Sequence, residues 1–208
     1  TPLYVFLGLL PFSVFFIQGF VHGWKARKEN DFLLFSFLAA SITILFFSIS
    51  STKLPNYPMP SYPFVAVLLA HYLNKIYLNG EKRNPISWSL IVLLIIGISL
   101  PIGGWVGLSV EKQLMSVRYV SLVLILTTLA GILGFYSYQK NDFKLAFKSI
   151  AVGWILTGLG LFGFVYPTLT KQSPVTMALE QLPSNATIVA YKRFDSAFPV
   201  NFQRTFPV

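Results

Sequence analysis

Residues 32–63 read FLLFSFLAASITILFFSISSTKLPNYPMPSYP. Residues 32–50 of that stretch hold no ionisable side chain. A helix needs about 20 apolar residues to cross the ~30 Å hydrocarbon core of a bilayer, so this run predicts a membrane span. The residues after it cannot continue a helix. Pro55, Pro58, Pro60 and Pro63 fall close together. Proline fixes φ near −65° and biases the residue before it to extended conformations. The expectation is a stiff, extended, non-helical path at the membrane surface. Ser50, Ser51 and Thr52 are suited to cap the span, and Tyr57 and Tyr62 supply amphipathic rings for the interface. Lys53 is the only charge. A lysine ammonium is a compact cation able to meet a phosphate. From these residues alone, an anchoring loop and a phosphate-facing site both fit.

The same apolar pattern recurs on either side. Candidate spans cover residues 3–21, 32–50, 63–78, 86–109, 119–138 and 145–168. The composition agrees: 54% of the 208 residues are hydrophobic and 11% charged, against about 25% charged in soluble domains. Mean hydropathy is +0.64. These values exclude a disordered chain and predict an all-α polytopic membrane bundle over residues 1–170. With no cysteine, a disulfide framework, thiolate metal site and cysteine nucleophile are excluded.

Net charge is +9. In a membrane protein this reads as cytoplasmic loops and lipid phosphates rather than nucleic acid. Lys25, Arg27 and Lys28 follow the first span, Lys75, Lys82 and Arg83 the third, and Lys140, Lys144 and Lys148 the fifth. The alternate loops hold Lys53 alone, or Lys112 with Arg118. The positive-inside rule places the richer set in the cytoplasm and the Lys53 loop outside. Residues 174–182 read as a short helix and 186–191 as a strand. Segment 171–208 is thus expected to begin a periplasmic α/β or α+β domain, too short by itself to bury a core. With a span starting almost at Thr1, the chain reads as a piece of a larger membrane protein.

Gly158, Gly160 and Gly163 match G-x-G-x-x-G but lie inside an apolar span, whereas a dinucleotide site requires a strand before the motif and a helix after it. Close helix packing is the expected role. His22 and His71 read as sitting at opposite ends of different spans, with no Asp, Glu or Cys at ligand spacing, so no metal site is assigned. Asn185-Ala-Thr187 matches a glycosylation sequon by pattern alone. The spans are nearly free of ionisable residues, which disfavours a secondary transporter. No paired carboxylates suited to acid–base work are visible, and no cofactor is indicated.

Segment 47–63 resembles the K-L-P-x-Y-x-x-P segment of the ArnT-like glycosyltransferases, polytopic GT-C enzymes of glycosyltransferase family 39 related to protein O-mannosyltransferases. Lys53, Leu54, Pro55, Tyr57, Pro60 and Pro63 fall on the pattern, and Pro58 departs from its usual aliphatic residue. The resemblance implies the C-terminal part of a bacterial inner-membrane enzyme that moves a sugar from a polyprenyl-phosphate carrier to a periplasmic acceptor. It implies that Lys53 and Tyr57 lie near the carrier phosphate, with Pro55, Pro58, Pro60 and Pro63 shaping the loop. It also implies that the catalytic Asp precedes Thr1, so no catalytic residue is carried over. A non-catalytic scaffold or lipid-binding subunit is the competing class.

Overall fold

The computed structural model describes residues 2–28, 30–50, 54–79 and 84–173. Lys53, the 174–182 helix, the 186–191 strand and the sequon lie outside them. Among the described residues the chain is all-helical, with no strand. The α-helices are α1 (Pro2–Gly8), α2 (Phe16–Lys25), α3 (Asp31–Ile49), α4 (Tyr62–Asn79), α5 (Asn84–Val110), α6 (Ile125–Gln139), α7 (Phe143–Gly160) and α8 (Tyr166–Thr170). A 3-10 segment, Met115–Leu124, runs directly into α6, and a π-helical turn, Leu161–Val165, joins α7 to α8.

Four helical stretches among the described residues are long and apolar enough to cross a membrane: Asp31–Ile49, Ile86–Val110, Met115–Gln139 and Phe143–Thr170. They match the expected second, fourth, fifth and sixth spans. Their large side chains are widely exposed, Ile49 at 84% and Phe162 at 80%, as a lipid-facing surface requires. The expected first span is not one helix. Pro11 has no N–H for a helical bond, and the chain breaks there into α1, a 3-10 turn (Phe12–Phe15) and α2. The expected third span is a helix, α4, but it is less apolar because it carries His71, Asn74 and Lys75. Val65, Leu68, Leu69, Tyr72 and Ile76 of α4 are buried. A helix packed largely against protein need not match the apolarity of lipid.

Local chemistry sets the helix ends. The Asn30 side chain accepts from Leu33 N–H at 3.1 Å and caps α3, and Asp31 complements the positive end of its dipole. Between α6 and α7, Asn141 takes φ 64°, a left-handed conformation asparagine tolerates. Asp142 N–H then bonds the Ser137 carbonyl at 3.0 Å, and the Asp142 carboxylate caps α7 through Leu145 N–H at 2.9 Å.

The chain divides into two compact units. The first combines Thr1–Ser99 with Leu126–Ile155. Its core joins Phe15, Ile44, Val65, Leu69, Leu90, Tyr138 and Ile150. Here α2 lies against α4 at two glycines four apart, the small-residue spacing that lets membrane helices approach closely. A Cβ on Gly19 would stand 2.9 Å from Leu69 Cδ2, and one on Gly23 2.6 Å from Leu68 Cδ2. The second unit combines Leu100–Ile125 with the chain from Leu156 onward. In it the Gly160 backbone meets Val123, Tyr119 packs near Phe164 with ring centroids 6.5 Å apart, and Arg118 lies 4.7 Å over the Trp105 ring. The glycine triplet is thus helical. Gly160 serves close packing as expected, while a Cβ on Gly158 or Gly163 would meet no neighbour within 4 Å.

Candidate functional site

The described part of the loop between α3 and α4 is wound into turns and a 3-10 turn rather than extended, which corrects the expectation. Tyr57 N–H bonds the Leu54 carbonyl at 3.2 Å, Met59 N–H the Asn56 carbonyl at 3.1 Å, and Ser61 N–H the Pro58 carbonyl at 2.9 Å. Successive tight turns lead into a 3-10 turn, Met59–Ser61, which runs into α4. The reason is that a φ near −65° also suits the second residue of a type I turn and the first turn of a helix. Pro55 holds the second place of the Leu54–Tyr57 turn, Pro60 and Pro63 fall in the first turns of the 3-10 segment and of α4, and Pro58, at φ −78°, ψ −1°, is the third residue of the Asn56–Met59 turn. The Ser61 hydroxyl returns to the same Pro58 carbonyl at 2.7 Å. The local bonds thus wind a four-proline segment into a compact plug.

The loop residues divide by exposure. Pro55, Pro60 and Pro63 are exposed, and Pro58 and Ser61 are buried. Tyr57 is half-buried, its ring 5.2 Å from that of Phe47 in the last turns of α3. Phe47 in turn follows Phe46, whose ring it meets edge-on at 5.1 Å. Tyr57 is therefore seated against the end of the preceding span. Tyr62, expected as an interfacial ring, acts as a strut: its hydroxyl donates to the Tyr4 carbonyl of α1 at 3.1 Å. Gly8 permits this, since a Cβ there would collide with the Tyr62 hydroxyl oxygen. The exit of the loop is fastened to the start of the chain by a contact that loop composition does not reveal.

A second polar contact was missed in the sequence. His22 of α2 and His71 of α4 are not apart: His22 Nε2 and His71 Nδ1 lie 3.0 Å from each other, with rings nearly parallel. One ring nitrogen donates and the other accepts. Spans one and three are separated by a single passage and so run in the same direction, which brings their C-terminal ends, with His22 and His71, to one side; that was the available signal. Among the described residues no group of three or more His, Asp or Glu side chains is placed to hold a metal ion.

The described residues define a helical membrane protein with a proline-built run of tight turns between two of its helices. The chain is a distant, partial homologue of bacterial arabinosyl transferases. It is 30% identical over 141 residues to the undecaprenyl phosphate-alpha-4-amino-4-deoxy-L-arabinose arabinosyl transferase of Yersinia enterocolitica, covering 65% of this chain and 25% of that protein. The protein of that name from Erwinia tasmaniensis is 35% identical over 75 residues, 36% of this chain and 14% of its own length. An uncharacterized protein of Aquifex aeolicus is 32% identical over 96 residues, 45% of this chain and 19% of its own. The chain thus spans a quarter or less of the curated relatives it matches. No family model and no solved structure matches it.

Proposed function

We propose that this chain is part of an integral membrane glycosyltransferase that moves a sugar, a pentose by analogy with its relatives, from a polyprenyl-phosphate carrier to an acceptor on the periplasmic face of a bacterial inner membrane. The observation that carries this reading is the homology to transferases named for an undecaprenyl-phosphate-linked arabinose. In this reading α4 and the broken α1–α2 segment also cross the bilayer, giving six passages and keeping the basic loops on one side.

The loop supplies electrophilic assistance at the membrane surface. Transfer breaks the bond between the anomeric carbon and the carrier phosphate oxygen, and the acceptor hydroxyl forms the new glycosidic bond. Negative charge grows on the departing phosphate. A lysine ammonium at 53 and the Tyr57 hydroxyl are suited to stabilise that charge as it develops. The acceptor proton goes to a carboxylate base, a role assigned to no residue of this chain. The tight turns from Leu54 to Ser61 hold Tyr57 against Phe47, so little ordering is left to be done when the carrier arrives.

The test is transfer by the full-length protein in proteoliposomes supplied with undecaprenyl-phosphate-linked 4-amino-4-deoxy-L-arabinose and an envelope-lipid extract as acceptor. Release of undecaprenyl phosphate together with labelled acceptor is expected. Tight carrier binding with no turnover of any pentosyl or hexosyl donor would make the protein a lipid-binding scaffold instead.

A further inference from the structure

The first unit carries an open apolar groove of about 610 Å³ between α2 and α3. Phe20, Val21, Trp24, Phe37, Ser41 and Leu45 line it, with Lys25 as its charged member. Its α3 wall is Phe37, Ser41 and Leu45, spaced four apart and therefore stacked along one helix face. Its floor is aromatic: Phe20 meets Phe37 edge-on at 5.6 Å, and Trp24 lies 5.3 Å from Phe37. Val21 and Trp24 are each 48% exposed and Leu45 61%.

One end of the groove is fixed in shape and charge. Arg27 Nη1 donates to the Trp24 carbonyl at 2.7 Å, and its guanidinium lies 4.1 Å over the Trp24 ring. This clamps the indole beside Lys25, whose side chain is exposed. The following turn, Ala26–Lys28, adds Lys28. Asp31 is the acidic side chain described at this end, and it serves the start of α3. From Phe37 to Leu45 the wall rises about 12 Å at 1.5 Å per residue, the depth of much of one leaflet's acyl region.

We propose that this groove binds a single anionic phospholipid, one acyl chain lying along Phe37, Ser41 and Leu45 and the phosphodiester at Lys25. An apolar channel with a cation at one mouth matches a lipid whose charge and chain share that polarity, and a zwitterionic lipid carries its own ammonium to compete with the lysine. By the basic-loop orientation the groove opens at the cytoplasmic end of the span. The site is therefore separate from the carrier-phosphate loop at the other end of α3, and either assignment stands if the other fails.

The experiment uses the full chain reconstituted in mixed vesicles, with Trp24 as its only tryptophan after W88F, W105F and W154F. Fluorescence is quenched with brominated phosphatidylglycerol or brominated phosphatidylcholine at varied mole fraction. Half-quenching by phosphatidylglycerol is expected at about fivefold lower mole fraction, the factor one lysine at an anionic surface supplies. Lys25→Gln should remove the preference, and Ser41→Phe should weaken quenching by filling the groove. Equal quenching by the two lipids would reduce the groove to ordinary bilayer contact and overturn the proposal. Relief of quenching by equimolar undecaprenyl phosphate would give the groove to the carrier and overturn it likewise. Native mass spectrometry of the protein with its own tryptophans gives a second readout: a retained phosphatidylglycerol, lost in Lys25→Gln, is expected, and none retained counts against the site.

Discussion

Thr127 donates its hydroxyl to the main-chain oxygen of Gly97 at 3.1 Å, and Thr128 reaches the same oxygen. The cause lies four residues further along α5. Pro101 sits inside that helix and has no N–H, so the Gly97 carbonyl has no helical donor. In a bilayer a freed backbone group must find its partner within the protein, and two threonine hydroxyls of α6 provide it. The close crossing this needs is open because Gly97 and Gly131 carry no side chain: a Cβ on Gly97 would stand 2.8 Å from the Thr127 carbonyl oxygen, and one on Gly131 3.3 Å from Leu94 Cα.

Replacing both hydroxyls, Thr127→Val with Thr128→Val, should therefore destabilise the protein by about 1 kcal/mol, in the range of measured interhelical hydrogen bonds in membranes. Pro101→Ala restores the helical donor to Gly97. In the Pro101→Ala background the threonine substitutions should cost much less. A double-mutant cycle on thermal unfolding in detergent reads the coupling. Additive effects would show that the threonines act by packing rather than by satisfying the carbonyl.

The glycines offer a contrast in sign. Gly23→Ala puts a methyl 2.6 Å from Leu68 Cδ2, and Leu68 is fully buried, so it has no free space to move into. A loss of about 1–3 kcal/mol is expected from overpacking. Gly107, in the interior of α5, has nothing within 4 Å of a Cβ position, so Gly107→Ala should be neutral or stabilise by up to about 1 kcal/mol through helix propensity. Melting temperatures of the two variants, measured in the same detergent, decide it.

Orientation is open to direct measurement in intact cells. With no native cysteine, single cysteines at positions 28, 53 and 82 report individually to an impermeant thiol reagent. Labelling is expected at 53 alone before lysis and at 28 and 82 only after it. Labelling of 28 and 82 but not 53 would turn the protein over and place the proline loop in the cytoplasm.

The four apolar spans were legible because a run of uncharged residues of bilayer length has few other uses, and α3, the α5 stretch, the α6 stretch and α7 fall where hydropathy places them. The first and third spans were harder for two physical reasons. Hydropathy over residues 3–21 does not register the break at Pro11, which lies between α1 and the 3-10 turn that follows. His71 and Lys75 lower the apolarity of α4, whose buried face answers to protein neighbours rather than lipid. The proline loop was recognised by composition but its path was misjudged, because proline's φ serves turns and helix starts as well as extended chain. The Tyr62–Tyr4 and His22–His71 contacts join residues 58 and 49 positions apart. Such pairings depend on how helices are arranged, which periodicity within one segment does not encode.

The proposed chemistry stands or falls on Lys53 and Tyr57 in the full-length enzyme. If Lys53 meets the carrier phosphate, Lys53→Ala should sharply reduce sugar transfer at unchanged expression and membrane insertion. Lys53→Arg should recover part of it, since charge is kept while donor geometry changes. Tyr57→Phe is the sharper probe. Its ring sits against Phe47, and phenylalanine preserves that contact, so folding should be intact and only the hydroxyl is lost. A hydroxyl that bonds a charged phosphate in the transition state should cost about 1–3 kcal/mol on removal, roughly 5- to 150-fold in rate. If the bond is made only as charge develops, kcat falls and KM for the carrier-linked sugar stays nearly constant. If it also binds the ground state, KM rises as well. An anchoring tyrosine predicts neither change. Wild-type transfer rates from both Lys53→Ala and Tyr57→Phe, at matched protein levels, would leave the loop a rigid connector and move the search for phosphate contacts elsewhere in the protein.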